Sequence, residues 1–261
     1  MLASDRSTPR MMGSLALALV GLESIDQGSP AELLRAQLAL AQSIGATGVV
    51  LNAATPGLRP RELDRSARRD LAATLRRHGL ELSGVDLLVP PEHFTSAAHQ
   101  DRAVSATLAA IELAGEIAGP GGRVVCVTLA EKIAPDIAAS IEQRASHHGV
   151  RVGDLSWRAD VAPRGPSLGV AIDPAAVIMG GGEPSAESFR LGAGVVMRRL
   201  SDASSAGRVP VGSGRLDVLA YAAACAVAGQ SRVVLDVRSV REPREGAAAG
   251  AKAWGDALAG K

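Results

Sequence analysis

The chain has 261 residues, 47% of them hydrophobic, which is long for one β-sandwich and suits one α/β barrel with a large core. Its 28 basic and 27 acidic residues leave a net charge of +1, which makes no electrostatic case for nucleic acid or for a charged membrane surface as a partner. Aromatics are too scarce, at 2%, to stack successive nucleobases, and the two cysteines, Cys126 and Cys225, stand in neither a CxxC nor a CxxxH spacing; a disulfide framework is excluded and the cytoplasm is the expected compartment.

In chain order, residues 1–13 read as a disordered tail ahead of one domain over 14–261. The apolar stretch 15–22 is too short to cross a bilayer, and no transmembrane segment occurs elsewhere. Short Val- and Leu-rich runs at 15–20, 48–52, 82–89, 124–129, 150–155, 168–173, 195–200 and 233–237 read as strands buried on both faces, as in a parallel sheet. Between them lie helices. Ser29-Pro30-Ala31-Glu32 is a capping box with proline at the first helical position; Leu33, Ala36, Leu40 and Ile44 then share one face, and Gly45 ends the helix. Further helices are expected at 62–78 (buried stripe Leu63, Ala67, Leu71, Leu75), at 97–118, at 135–148, after Asp217, and at 247–258. "WRADVAPRGP", after the fifth strand, is too short and Pro-rich for a full helix, and Gly180-Gly181-Gly182 interrupts the segment after the sixth. The pattern predicts an α/β fold, a (β/α)8 TIM barrel with the helix after strand five short or missing. The rival is an open doubly wound sheet, which usually carries a Gly-rich phosphate loop after its first strand; here that position reads "GLESIDQG", with no GxGxxG.

In a barrel, chemistry belongs to the C-terminal ends of the strands. Those ends supply Glu23, Asn52, Asp86, Thr128, Asp154, Ser156, Trp157, Asp173, Arg199, Asp202, Asp236 and Arg238. Acids converging on one rim suit a metal or a proton transfer, yet each alone is better explained as a helix cap or as the partner of an arginine. His78, His147 and His148 stand at helix ends before glycine, where a histidine meets the negative end of the helix dipole. His93 and His99 share one loop after strand three; without an HxxxH or CxxC they do not make a zinc site. Gly212-Ser213-Gly214, flanked by Arg208 and Arg215, opens a helix after strand seven and is a candidate anion site; the alternative is a tight turn with Asp217 as the N-cap. Trp157 suits either a platform under a sugar ring or a plug where the helix is missing.

"LGVAIDPA", "GVVMRRLSD" and "RVPVGSGRLDVLAYAAACAVAGQSRVVLDVR", with "GVDLLVPPEHF" and "DRAVSATLAAIELAG" earlier, resemble the xylose isomerase-like TIM barrels, a sugar phosphate isomerase/epimerase family related to endonuclease IV. The resemblance runs over about 14–258 and implies a divalent ion (Mn, Mg, Co or Zn) in the barrel mouth, held by Glu after strand five, a DxxH pair after strand six, often His on strand seven, and Glu on strand eight. This chain departs from that set. Leu155 falls at the first position, where Asp154 serves only if the register slips by one. Asp173 is kept but Ala176 replaces the histidine; Arg199 stands on strand seven and Asp236 on strand eight. The expectation is a sugar phosphate isomerase/epimerase-like protein acting on or binding a small sugar or polyol in the mouth. Asp173 and Asp236 are the acid/base pair or residual metal ligands, Arg199 the electrostatic stabiliser and His93 a second base; Trp157, Asn52, Gly212, Gly214 and Arg238 bind substrate. The cofactor is none, or a weakly held Mn, Mg or Zn, since Arg199 can neutralise Asp173 or Asp236 in the ion's place. The alternative is a non-catalytic sugar-binding pseudoenzyme on the same fold. An endonuclease IV-like reading needs a richer His and acid cluster and a basic surface. A homo-oligomer is compatible with the sequence, which does not fix the state of assembly.

Overall fold

In the computed structural model, residues 13–26, 28–229 and 232–261 are described; the expected tail at 1–13 lies outside them except for Gly13. The strands are β1 (Ser14–Ala18), β2 (Gly48–Asn52), β3 (Glu81–Leu87), β4 (Val124–Val127), β5 (Arg151–Asp154), β6 (Leu168–Ile172), β7 (Val195–Leu200), β8 (Asp202–Ser204), β9 (Gly207–Val209) and β10 (Arg232–Leu235). Eight of them close a parallel ring in the order β1-β10-β7-β6-β5-β4-β3-β2, while β8 and β9 form a separate antiparallel hairpin. The pairing of β1 with β10, from Ser14 against Arg232 to Leu17 against Leu235, closes the ring and rules out the open sheet. The fold is the expected α/β (β/α)8 barrel.

The helices are α1 (Pro30–Ser43), α2 (Arg65–Arg77), α3 (Gln100–Ile117), α4 (Pro135–His148), α5 (Pro174–Met179), α6 (Pro184–Leu191), α7 (Val218–Val227) and α8 (Pro243–Leu258). Local chemistry sets their ends. Ser29 and Glu32 form the reciprocal capping box of α1, and Asp217 caps α7 by accepting from the Ala220 amide. Three helix starts differ from expectation, the third helix beginning at Gln100 rather than 97. The second helix begins at Arg65, not 62, because Pro60–Glu62 makes a 3-10 turn and Asp64 caps the helix by accepting from Ala67. The last helix begins at Pro243, where proline's missing N–H costs nothing. No helix joins β5 to β6, and the glycines at 180–182 divide the next segment into α5 and α6, both as expected. Among the described residues no helix is long and apolar enough to cross a membrane.

Strand alternation sorts side chains into two sets. Leu15, Leu17, Val49, Leu51, Val125, Val152, Ile172, Leu200 and Leu235 pack outward into the large shell core between barrel and helices. A smaller cluster takes one residue or two from each of seven strands or their ends: Ala16, Ala18, Val50, Cys126, Leu155, Ala171, Met197 and Val234. This is the filling of the ring. It is narrow: a Cβ at Gly153 would come within 2.9 Å of the Ala171 methyl. The next inward positions toward the C-terminal rim carry polar groups, so the barrel's apolar filling ends under a polar mouth.

Candidate functional site: a chain of ion pairs across the barrel mouth

The inward parity of β6, β7 and β10 places Asp173, Arg199 and Asp236 above the interior cluster, and the parity of β3 adds Asp86. Arg199 is fully buried. Its Nη1 donates to Asp236 Oδ2 at 2.9 Å and its Nη2 to Asp86 Oδ1. Arg238, two residues past Asp236, folds back: its Nε lies 3.0 and 2.9 Å from the two Asp236 oxygens, and its Nη2 reaches Asp173 Oδ2 at 2.8 Å. Arg208, on β9, closes on the same Asp173 oxygen. The result is one alternating chain, Asp86–Arg199–Asp236–Arg238–Asp173–Arg208, with three carboxylates against three guanidiniums. Each link is a charge-assisted bond in surroundings that screen little.

Asp173 precedes α5 at the N-cap position, yet its side chain makes no capping bond. Oδ1 instead accepts from Ser201 Oγ at 2.6 Å, and that hydroxyl in turn accepts from the Ala175 amide at 3.0 Å. Strand six therefore ends on an acid because two arginines and a serine from later in the chain need an anion there. Burial opposes the charge on Asp236, but Arg238, Arg199 and Arg208 outweigh it and hold the carboxyl well below the usual carboxylate range. For Asp86 burial wins: among the described residues Arg199 is the one partner bonded to its carboxylate and Oδ2 is unbonded, and its pKa is pushed up. Burial likewise opposes the charge on Arg199, and Asp86 and Asp236 more than restore it.

The other candidate residues fall as follows. Leu155 joins the interior cluster, so strand five keeps the register that turns leucine inward. Asp154 faces away, with Oδ1 accepting from the Leu129 amide at 3.1 Å and from the Ser156 amide and hydroxyl at 2.9 and 2.5 Å. Asn52 lies at the rim, donating to Glu23 Oε1 at 2.8 Å. Trp157 is the plug rather than a free platform: a Cβ at Gly180 or Gly182 would overlap its ring, so those glycines leave the space it fills. His93 lies against His99 with ring centroids 4.6 Å apart and the rings tilted by 39°, and among the described residues makes no hydrogen bond to the mouth carboxylates. Gly212 and Gly214 do turn their amides toward an anion, but an internal one. Asp202 Oδ2 accepts from both, at 3.0 and 2.9 Å, and Oδ1 accepts from the Ala203 and Leu216 amides at 2.8 and 2.9 Å. The expected external anion site there is corrected: the protein's own carboxylate uses those donors.

Two participants, Ser201 and Arg208, escape a reading of strand ends alone, and Asp86, which that reading supplies, gains its partner only in the fold. Ser201 and Arg208 enter because β7 continues into the hairpin, and Asp86 meets Arg199 because the inward face of β3 reaches the same centre. Parity carried past residue 199 finds Ser201. The hairpin has no such signal, since its two-residue loop, Ser205-Ala206, lacks the Asn-Gly or Asp-Gly signature.

No protein-family model matches the chain, and no curated protein sequence does. Solved structures do. The chain is similar to a structure of L-ribulose 3-epimerase at TM-score 0.72, with 15% identity over 95% of each chain. It is similar to the xylose isomerase domain protein from Planctomyces limnophilus at 0.68, with 14% identity over 96% of this chain and 98% of that one. A sugar phosphate isomerase/epimerase from Parabacteroides distasonis ATCC 8503 matches at 0.65, with 14% identity over 92% and 94%. The fold is thus that of the xylose isomerase-like TIM barrels and sugar isomerases/epimerases. At this identity the likeness establishes the architecture and leaves the site to its own residues.

The donor set does not suit the divalent ion that such barrels imply. Every oxygen of Asp173 and Asp236 already accepts from a guanidinium, a hydroxyl or an amide. Leu155 and Ala176 offer no lone pairs, and three guanidiniums beside the same carboxylates repel a dication. Among the described residues no group of three or more His, Cys, Asp or Glu side chains is arranged to hold a metal.

Proposed function

We propose that this chain is a metal-independent relative of the sugar isomerases and epimerases that binds a small sugar or polyol at the barrel mouth without turning it over. The alternating chain from Asp86 to Arg208 carries this reading. A general base works best with a pKa near the working pH. The Asp236 carboxyl is held far below that range, and Asp173 shares one oxygen between two guanidiniums. Arg199 supplies the positive charge that an ion would supply, with no exchangeable coordination positions for substrate oxygens. The sugar-directed part of the reading rests on the structural neighbours. Arg208 and Arg238 keep 12% and 20% of their side chains exposed and offer fork-like donors to hydroxyl groups. Two buried free thiols, Cys126 and Cys225, suit a reducing cytoplasm.

The test is calorimetric titration of the full chain with a panel of free ketoses, aldoses and polyols, with and without EDTA, beside product analysis by NMR. Binding that EDTA leaves unchanged, with no epimer or isomer formed, is the expected outcome. A stoichiometric divalent ion in the purified protein, with turnover lost in Asp173→Ala, replaces the reading by an enzyme. No binding across the panel removes the sugar ligand.

A further inference from the structure

A trench of about 960 Å³ runs between α2 and α3 on the outer flank of the barrel. Four arginines of α2, Arg65, Arg68, Arg69 and Arg76, face it, with Leu63, Ala72 and Ile117 as its apolar part. It adjoins a second hollow of about 340 Å³ that shares Ala72, Arg76 and Ile117 and adds Leu75, Leu80 and Leu82. Arg68 is spent inside the fold: it pairs with Glu116 at 2.7 Å and donates to the carbonyls of Leu63 and Pro60. Arg65, Arg69 and Arg76 are exposed, and among the described residues none of their side chains makes a hydrogen bond or an ion pair. An amphipathic surface helix normally turns mixed charges outward. Here the outward stripe beside the trench is cationic, and the acids lining it are already engaged: Asp64 caps α2 and Glu116 holds Arg68.

We propose that this trench docks an acidic, amphipathic helix of a partner protein. Spacing and composition argue for that occupant. Arg65 and Arg69 are one turn apart and Arg76 two turns further, at i, i+4 and i+11, so the cations rise about 6 and 10 Å along one line. A second helix lying in the trench repeats that spacing with its own carboxylates at i, i+4 and i+11, while its apolar face meets Ala72, Ile117 and Leu75. Nucleic acid suits the trench less well: the apolar residues offer a phosphate backbone nothing, and no aromatic side chain lines either hollow for a base to stack on. A flat anionic membrane does not enter a trench.

The probe is a fluorescein-labelled designed helix of about 20 residues, with Glu at i, i+4 and i+11 and Leu along the adjoining face. It is titrated with the full chain by anisotropy at low and physiological salt. The expected result is saturable binding that weakens as salt rises, reduced about tenfold in Arg65→Ala/Arg69→Ala/Arg76→Ala, a triple variant whose thermal transition matches the parent because all three sites are exposed. A Lys-substituted probe does not bind. The proposal is overturned by no binding of the acidic probe, by equal binding to the triple variant, or by tighter arginine-dependent binding of a 20-nucleotide single strand or of vesicles containing phosphatidylserine. Self-association abolished by the same triple variant in light scattering also overturns it, by making a second copy the occupant.

Discussion

Asp173 and Asp202 both follow a barrel strand, and both are buried, at 3% and 1% exposure, yet they are held in opposite ways. Asp202 is caught by four backbone amides, all within 14 residues of it. Asp173 is caught by side chains 28, 35 and 65 residues away, in three different stretches of the chain. Amides cost no side-chain entropy beyond closing a loop, and they carry no net charge. Guanidiniums must be brought from across the barrel, and each enters as a full charge that is unfavourable to bury unless its partner is already in place. The first arrangement is a local clasp that fixes the hairpin β8–β9 over the mouth. The second is a cooperative assembly whose members depend on one another.

Removing the buried centre of the assembly breaks the contrast most severely. Arg199→Met leaves Asp86 with no cation at full burial, and urea unfolding should register a loss of about 3–5 kcal/mol. The paired change Asp86→Leu/Arg199→Met should recover most of it, because it deletes the charges together; a double variant as unstable as the single one would show that packing, not charge, dominates. The acid limb follows from the same group. The folded pKa of Asp236 lies below its unfolded value of about 4, so its contribution is present above that pH and lost as the pH falls. Stability measured from pH 7 to pH 3 should fall through this group, and in Arg199→Met, where the Asp236 carboxyl is held less low, the fall should be smaller; Asp86, whose folded pKa is raised, acts in the opposite sense.

The local clasp comes next. Asp202→Ala strands the amides of Ala203, Gly212, Gly214 and Leu216, at about 2–3 kcal/mol, while Asp202→Asn, which keeps one acceptor, should cost about half that. Hydrogen exchange would then show the loop at 210–216 opening while the strands stay protected; exchange spreading through β7 and β10 would mean that the clasp is not local. Gly180→Ala, which pushes a methyl into the Trp157 ring, should cost about 1–2 kcal/mol and shift the tryptophan emission toward red as the plug lifts. The smallest effect is expected at the open end of the chain. Arg208→Ala leaves Asp173 with Arg238 and Ser201, so about 1 kcal/mol is lost, and a larger change would mark Arg208 as a structural strut rather than a mouth residue.

The same contrast explains how far the sequence could be read. Alternation and turn chemistry are local, so all eight ring strands, the capping box at Ser29, the gap after β5 and the Asp217 cap follow from neighbours in sequence. Gly212 and Gly214 were legible as an amide-rich turn, but not that Asp202, ten residues upstream, would use it. Parity placed Asp173, Arg199 and Asp236 on one face of their strands; it could not decide whether strand five would turn Asp154 or Leu155 inward, which depends on how its ring neighbours pack.

The sequence by itself determined the ring, because a period of two on buried strands and a period near 3.6 on helices are written in the order of the residues. Only the tertiary structure decided which charges meet. The Arg199–Asp86 pair spans 113 positions, and no local spacing encodes such a contact; it exists because closing the barrel brings the inward faces of β3 and β7 to one centre.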